Sequence, residues 1–132
     1  MKNLLFLITL FIIGCSSGDK KFVVYEKNGH GLVAATEDLG IMDWYSAKDA
    51  CENLVLNGYD DWYLPSKEEL NQLYLNKGKI GGFANSIYWS STEYNTNDIK
   101  PNPAWVQYFN DNGTPTNFNR KNKFSVRAVR AF

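Results

Sequence analysis

Residues 58–70 read GYDDWYLPSKEEL. Ser66 is a helix-opening residue, and Glu69 stands three positions on, where the two can close a reciprocal capping box. Pro65 sits just before the cap, where no backbone donor is needed, and it holds Leu64 extended. Upstream of this junction, Gly58, Tyr59, Asp60 and Asp61 make a polar turn and Trp62 to Leu64 a short apolar stretch. Downstream, two further segments follow in order, YWSSTEY at 88–94 and VRAVRAF at 126–132.

Working outward, Phe22 to Tyr25 predicts a first strand, Asn28-Gly29 a turn, and Leu32 to Ala35 a second extended piece. Glu37 to Gly40 reads as an acidic turn. Ser46 is expected to cap a first helix with Asp49 at its third position. Ala47, Ala50, Cys51 and Leu54 then form an apolar stripe, and Asn57-Gly58 ends the helix. The second helix is predicted over Lys67 to about Asn76, burying Leu70, Leu73 and Tyr74, with Gly78 stopping it. Strands are expected at Ile87 to Ser91, Ala104 to Phe109, Thr116 to Arg120 and Phe124 to Phe132, with a hairpin turn at Asn110 to Gly113. This order is that of an α+β domain.

The N-terminus carries an address. Lys2 precedes an apolar run from Leu4 to Ile13, broken only by Thr9, that is too short to span a bilayer as a mature helix. Ile12-Ile13-Gly14-Cys15 matches a bacterial lipobox, which makes residues 1–14 a lipoprotein signal peptide and Cys15 the expected lipidation site. Residues 15–21 are then an acylated cysteine and a small, polar tether, and residues 22–132 one domain. Ser16 after the cysteine points to the outer membrane of a bacterial cell envelope as destination. With Cys15 taken by lipid, Cys51 has no intramolecular partner and reads as a buried, inert thiol.

Formal net charge is +0 and the pI is near 6.6, so the chain carries no electrostatic footprint for nucleic acid or for an anionic membrane. Its 15% aromatic content, with four Trp, supplies anchors for a loop-rich core. Trp62, Trp89 and Trp105 are expected inside, and Trp44 is open. His30 is the only histidine, so a His-based metal cluster is excluded and a catalytic triad lacks support. Asp60, Asp61, Glu68 and Glu69 could form an acid–base pair or a cation site. The structural reading makes Glu69 a cap partner and pairs Asp61 with Arg127 or Arg130. No catalytic residue, metal or cofactor is assigned.

The segment at 58–70, with YWSSTEY and VRAVRAF, resembles the Lcl C-terminal domain family, a bacterial group of C-type-lectin-like fold found mostly on secreted and surface proteins. His30 to Ala35 matches its opening strand, and Ala47, Cys51 and Leu54 its first helix. The resemblance implies two helices flanking a twisted, mainly antiparallel sheet in which the first and last strands pair. The family commonly carries Arg between the Trp and Leu of its WRLP motif, where this chain has Tyr63, so an aromatic contact replaces any ion pair there. The same fold class includes formylglycine-generating oxidases, whose RLPTE-type segment is similar. They hold copper with paired cysteines, and the single Cys51 does not support that chemistry.

The expected function is therefore binding. Between 94 and 122 the chain carries eight Asn, the adaptable hydrogen-bonding residue that combines with Tyr in antibody loops. The candidate ligand-binding set is Tyr94, Asn95, Asn97, Asp98, Asn102, Tyr108, Asn110, Asp111, Asn112, Asn117, Asn119 and Arg120, facing an extracellular glycan or protein. This Asn-rich ending also resembles the variable regions of retroelement-diversified proteins. The loop at 94–103 and the hairpin at 110–113 are expected on one side. Strand alternation predicts Trp105, Gln107 and Phe109 inward, with Asn117 and Asn119 sharing the face of Tyr108. The alternative is an accessory envelope lipoprotein that docks on a larger assembly and takes no free ligand.

Overall fold

Asn28 and Gly29 both take positive φ, 55° and 80°, and fold β1 (Val23–Lys27) back onto β2 (His30–Ala34) with Lys27 opposite His30. Two central residues of left-handed backbone match the twist of the flanking strands. The protein is seen here as a computed structural model describing residues 19–110 and 112–132. The expected signal peptide at residues 1–14, Cys15 and Asp111 lie outside the described residues. The domain opens with a one-turn 3-10 helix, Asp19–Phe22.

The strands form two sheets rather than one. The smaller has the order β1-β2-β8, with β8 at Val129–Ala131. The larger has the order β3-β7-β4-β5-β6, built from Gly40–Met42, Phe124–Val126, Ile87–Glu93, Ala104–Tyr108 and Pro115–Phe118. All pairings are antiparallel except β4 with β7. The last strand pairs with the second strand, not the first. The single strand expected over Phe124 to Phe132 breaks at Arg127 and Ala128, and its halves join different sheets. The cause is the Arg127 side chain, 1% exposed, which must collect acceptors inside. Nε donates to Asp38 Oδ1 at 2.7 Å and one terminal nitrogen to the Ala35 carbonyl at 3.1 Å. Tyr88 Oη donates to the other oxygen of Asp38 at 2.5 Å.

Helix α1 runs Trp44–Glu52, and its cap is Asp43, not Ser46. Asp43 Oδ1 accepts the Ser46 N–H at 2.9 Å and Oδ2 accepts the Ser46 hydroxyl at 3.1 Å. The backbone N–H of Ser46 is the main reason the Asp43 carboxyl is held below its ordinary value. The helix ends well before Asn57-Gly58, because Leu54 turns in to pack on the core. Asn57 and Gly58, at φ 57° and 81°, close a tight turn instead, with Leu56 and Tyr59 bridged on either side.

Helix α2, Lys67–Leu75, begins as the sequence predicts. Glu69 N–H donates to Ser66 Oγ at 3.1 Å and Ser66 N–H donates to Glu69 Oε1 at 2.9 Å. Tyr63 donates its hydroxyl to the remaining Glu69 oxygen at 2.8 Å. Burial, and after it the bond to Glu69, pushes the Tyr63 phenol up. Gly78 does not stop the chain; it lies within a further short helix α3, Lys77–Ile80, which Gly81 ends at φ 80°.

The larger sheet is covered on both faces. Trp89 faces one core with Trp44, Ala47, Cys51, Trp62, Leu64 and Val106, while its neighbour Tyr88 faces the other with Leu32, Leu70, Leu73, Phe109 and Val129. Each buried indole donates to a carbonyl: Trp44 to Ser90 at 2.9 Å, Trp89 to Met42 at 2.9 Å, Trp62 to Tyr59 at 3.2 Å. Cys51 is fully buried, and burial pushes its thiol up to about 12. Asp61 pairs with Arg130 at 2.5 Å, not with Arg127. Among the described residues no helix is long and apolar enough to cross a membrane.

Candidate functional site

Strand β5 decides where the Asn-rich segment can act. Because both faces of the sheet are covered, alternation does not separate inside from outside but one core from the other. Ala104 and Val106 enter the first core. Tyr108 lies opposite Ile87 on that same side and is half-buried. Trp105, Gln107 and Phe109 face the side of α2. Gln107 is 2% exposed, and its amide donates to Asn71 Oδ1 at 2.9 Å and to the Gly113 carbonyl at 3.0 Å. That satisfies the amide that strand alternation turns inward.

Trp105 is not a core residue. It is half-buried, with Lys67 Nζ 3.6 Å from the centre of its ring and Tyr94 meeting it edge-on at 5.2 Å. The register places Asn117 directly opposite Trp105. Asn117 therefore shares a face with Trp105, not with Tyr108, since cross-strand partners point the same way. Asn119 lies beyond the end of β6. Its Oδ1 accepts the Lys121 N–H at 2.9 Å and its carbonyl accepts the Asn122 N–H at 3.1 Å, so it serves a turn.

The loop between β4 and β5 is closed by Tyr94 N–H donating to the Pro103 carbonyl at 2.7 Å. Within it, Asn102 Nδ2 donates to Asn95 Oδ1 at 3.4 Å, and Lys100 Nζ donates to the Thr96 carbonyl at 3.2 Å and to Asn102 Oδ1 at 3.3 Å. Asn95, Asn97, Asp98 and Ile99 remain exposed, Ile99 to 51%. Arg120, assigned to the ligand by sequence, fastens this loop instead. It is 9% exposed, its Nε donates to the Asn102 carbonyl at 2.5 Å, and it is ion-paired with Glu93. A guanidinium so engaged has little left to offer a ligand.

The hairpin after β5 lies at the other end of that strand, not beside the loop. Asn110 Oδ1 accepts the Asn112 N–H at 2.9 Å, and its carbonyl accepts the Tyr74 hydroxyl at 3.1 Å. Lys77 Nζ reaches the Phe109 carbonyl at 3.3 Å. Asn110 and Asn112 are thus tied to the C-terminal end of α2, while Asn95 and Asn102 lie past its N-terminal end. Five residues of strand, about 17 Å, separate the two groups.

What the structure brings together on one face is Asn117, Trp105 and Tyr94, with Lys67 alongside, and Asn95 follows Tyr94 into the loop. This strip combines amide donors and acceptors, a partly open indole, a phenol and one ammonium. Sequence reasoning missed Trp105 and Lys67. No signal in the sequence singled them out, because Gln107, the polar residue in phase with Trp105, is itself buried. Among the described residues, no group of three or more His, Cys, Asp or Glu side chains converges to hold a metal ion. A separate shallow groove of about 400 Å³ lies between β1 and α2, lined by Tyr25, Glu68, Glu69 and Gln72. Both Glu69 oxygens are already engaged there.

A family model described as the Lcl C-terminal domain matches residues 20–130. Among solved structures, a crystal structure of botrocetin is similar to this chain over 82% of its length and 95% of the botrocetin chain, with a TM-score of 0.51 and 13% identity. At that identity the likeness speaks for the fold alone, which is C-type-lectin-like. No curated protein matches the chain.

Proposed function

The chain belongs to the Lcl C-terminal domain family, and from that premise we propose that it is a surface lipoprotein binding an extracellular glycan or protein. Cys15 carries the lipid that holds it to the bacterial envelope, at the outer membrane. Its lectin-like domain offers the strip of Asn117, Trp105, Tyr94 and Asn95, continued by the exposed Asn97 and Asp98. The observation that supports this best is the fixed frame of the 94–103 loop. Arg120 and the Tyr94–Pro103 bond hold its backbone while Asn95, Asn97 and Asp98 stay in solvent. Polar groups held in place before binding lose little freedom when a ligand arrives.

The reading is tested with the lipid-free domain on a glycan array and in pull-downs from host-cell surface extracts. A specific ligand whose binding is lost on changing Asn95 and Asn117 supports it. Binding that survives those changes moves the site elsewhere. The accessory-lipoprotein reading has its own support in the 53–61 segment, where Val55 is 71% and Tyr59 44% exposed. Recovery of an envelope protein through that segment would favour it.

A further inference from the structure

The lysines of this neutral chain are not evenly spread. The opening turn Asp19–Phe22 packs on α3, where Lys79 Nζ donates to the Val23 carbonyl at 2.6 Å. Lys20, Lys21 and Lys79 are exposed, and Lys77 of the same short helix is half-buried beside Tyr74. None of the four is in an ion pair among the described residues. Asp19 is the sole acid in these two segments. Net neutrality, which by itself predicts no attraction to an anionic membrane, thus coexists with a basic base at the point where the tether enters the domain.

Helix α2 relates this base to the ligand strip. Its first residue, Lys67, lies on Trp105, and its C-terminal end leads through Asn76 into α3. Nine helical residues, about 13 Å, hold the two surfaces apart.

We infer that the base formed by the exposed Lys20, Lys21 and Lys79 docks on the anionic lipid headgroups of the membrane that holds the protein. The inference rests on the anchoring at Cys15 proposed above. From Cys15 to Asp19 the chain spans at most about 14 Å. That reach keeps the lysines near the headgroup layer, where attraction acts over a screening length of about 8 Å. Juxtamembrane lysines are drawn to such a surface. The base then faces the bilayer, α2 points away from it, and Trp105, Tyr94 and Asn95 are displayed outward.

The test is hydrogen–deuterium exchange on the full acylated protein in vesicles of phosphatidylcholine alone and of equimolar phosphatidylcholine and phosphatidylglycerol. Residues 19–24 and 77–82 should exchange more slowly in the anionic vesicles only. This protection should vanish in about 1 M salt, where the screening length is about 3 Å. It should also vanish in the K20Q/K21Q/K79Q variant but persist in K121Q/K123Q, which removes two exposed lysines elsewhere. Residues 95–102 should exchange equally in both vesicles. Equal exchange at the base in both vesicles, or protection at 95–102, overturns the inference. Protection by soluble polyphosphate but not by phosphatidylglycerol would overturn it in favour of a soluble polyanion. An N-terminal peptide lacking acyl mass would sink the anchoring and this inference together, whereas an acylated protein without protection sinks this inference alone.

Discussion

The guanidinium of Arg120 lies 4.2 Å from the centre of the Trp44 ring. Arg120 follows the β5–β6 hairpin, Trp44 opens α1, and the same guanidinium reaches the Asn102 carbonyl. One side chain therefore ties the first helix to the loop that presents Asn95. Arg120→Ala should leave the Asn102 carbonyl unpaired and cost about 1–3 kcal/mol. Thermal melting should fall by about 4 °C per kcal/mol. Arg120→Lys should recover only part of this, because an ammonium cannot reproduce the planar fork. A melting temperature unchanged in Arg120→Ala would contradict the role.

The proposed ligand strip separates residues that the sequence grouped together. Asn95→Ala with Asn117→Ala should abolish binding of whatever ligand the array identifies. Each change should alter stability by about 0.5 kcal/mol or less. Tyr108→Ala, on the opposite face of β5, should leave affinity unchanged. The discriminating measurement is titration of both variants against that ligand, with circular dichroism to show that they remain folded.

Cys51 should resist thiol reagents in the native domain and react only on unfolding. Its folded pKa, near 12, is raised above the ordinary 9.0. The folded state then holds the proton more tightly than the unfolded one. The stability linked to this group is complete below pH 9 and is lost as pH rises toward 12. Cys51→Ala should cost about 1–3 kcal/mol as a small cavity and flatten that alkaline decline. Fast labelling of folded protein at pH 8 would show the thiol to be open.

Asp43 titrates in the other direction. Its carboxyl is held below 3.8 by Ser46, so its contribution is present above pH 3.8 and is lost as pH falls through the lowered value. Asp43→Ala should cost about 0.5–2 kcal/mol, the usual range for a lost helix cap. Ser46→Ala should cost less, since the backbone N–H that Asp43 accepts survives. Equal losses in urea melts would restore Ser46 as the cap.

Cys15→Ala should abolish lipid anchoring without disturbing the fold. The mutant should leave the detergent phase in a phase-partitioning experiment while its melting temperature matches that of the parent domain. Partitioning equal to the parent would exclude acylation at Cys15.

Local chemistry was legible where neighbours in sequence satisfy one another. The capping box of Ser66 and Glu69, the Asn28-Gly29 turn and the buried stripe around Cys51 need only a few consecutive residues, and the chain alone determined them. Along with the motif order that marks the family, they set an α+β, lectin-like domain. The cap at Asp43 was equally local, but Ser46 offered the same chemistry and spacing could not choose between them. Long-range partners decided the rest. Phe124 to Phe132 reads as one strand until Arg127 must find Asp38 and Ala35 across the core, and those lie about ninety residues away. Trp105 reads as interior until Lys67 and Tyr94 prove to be its neighbours. Arg120 reads as a ligand contact until Asn102, Glu93 and Trp44 surround it. Alternation along β5 gives two faces, but only the packing of a helix against each says that both are covered. Asn117 and Tyr108 parted for that reason: register, a property of the paired strands, assigned one to each side.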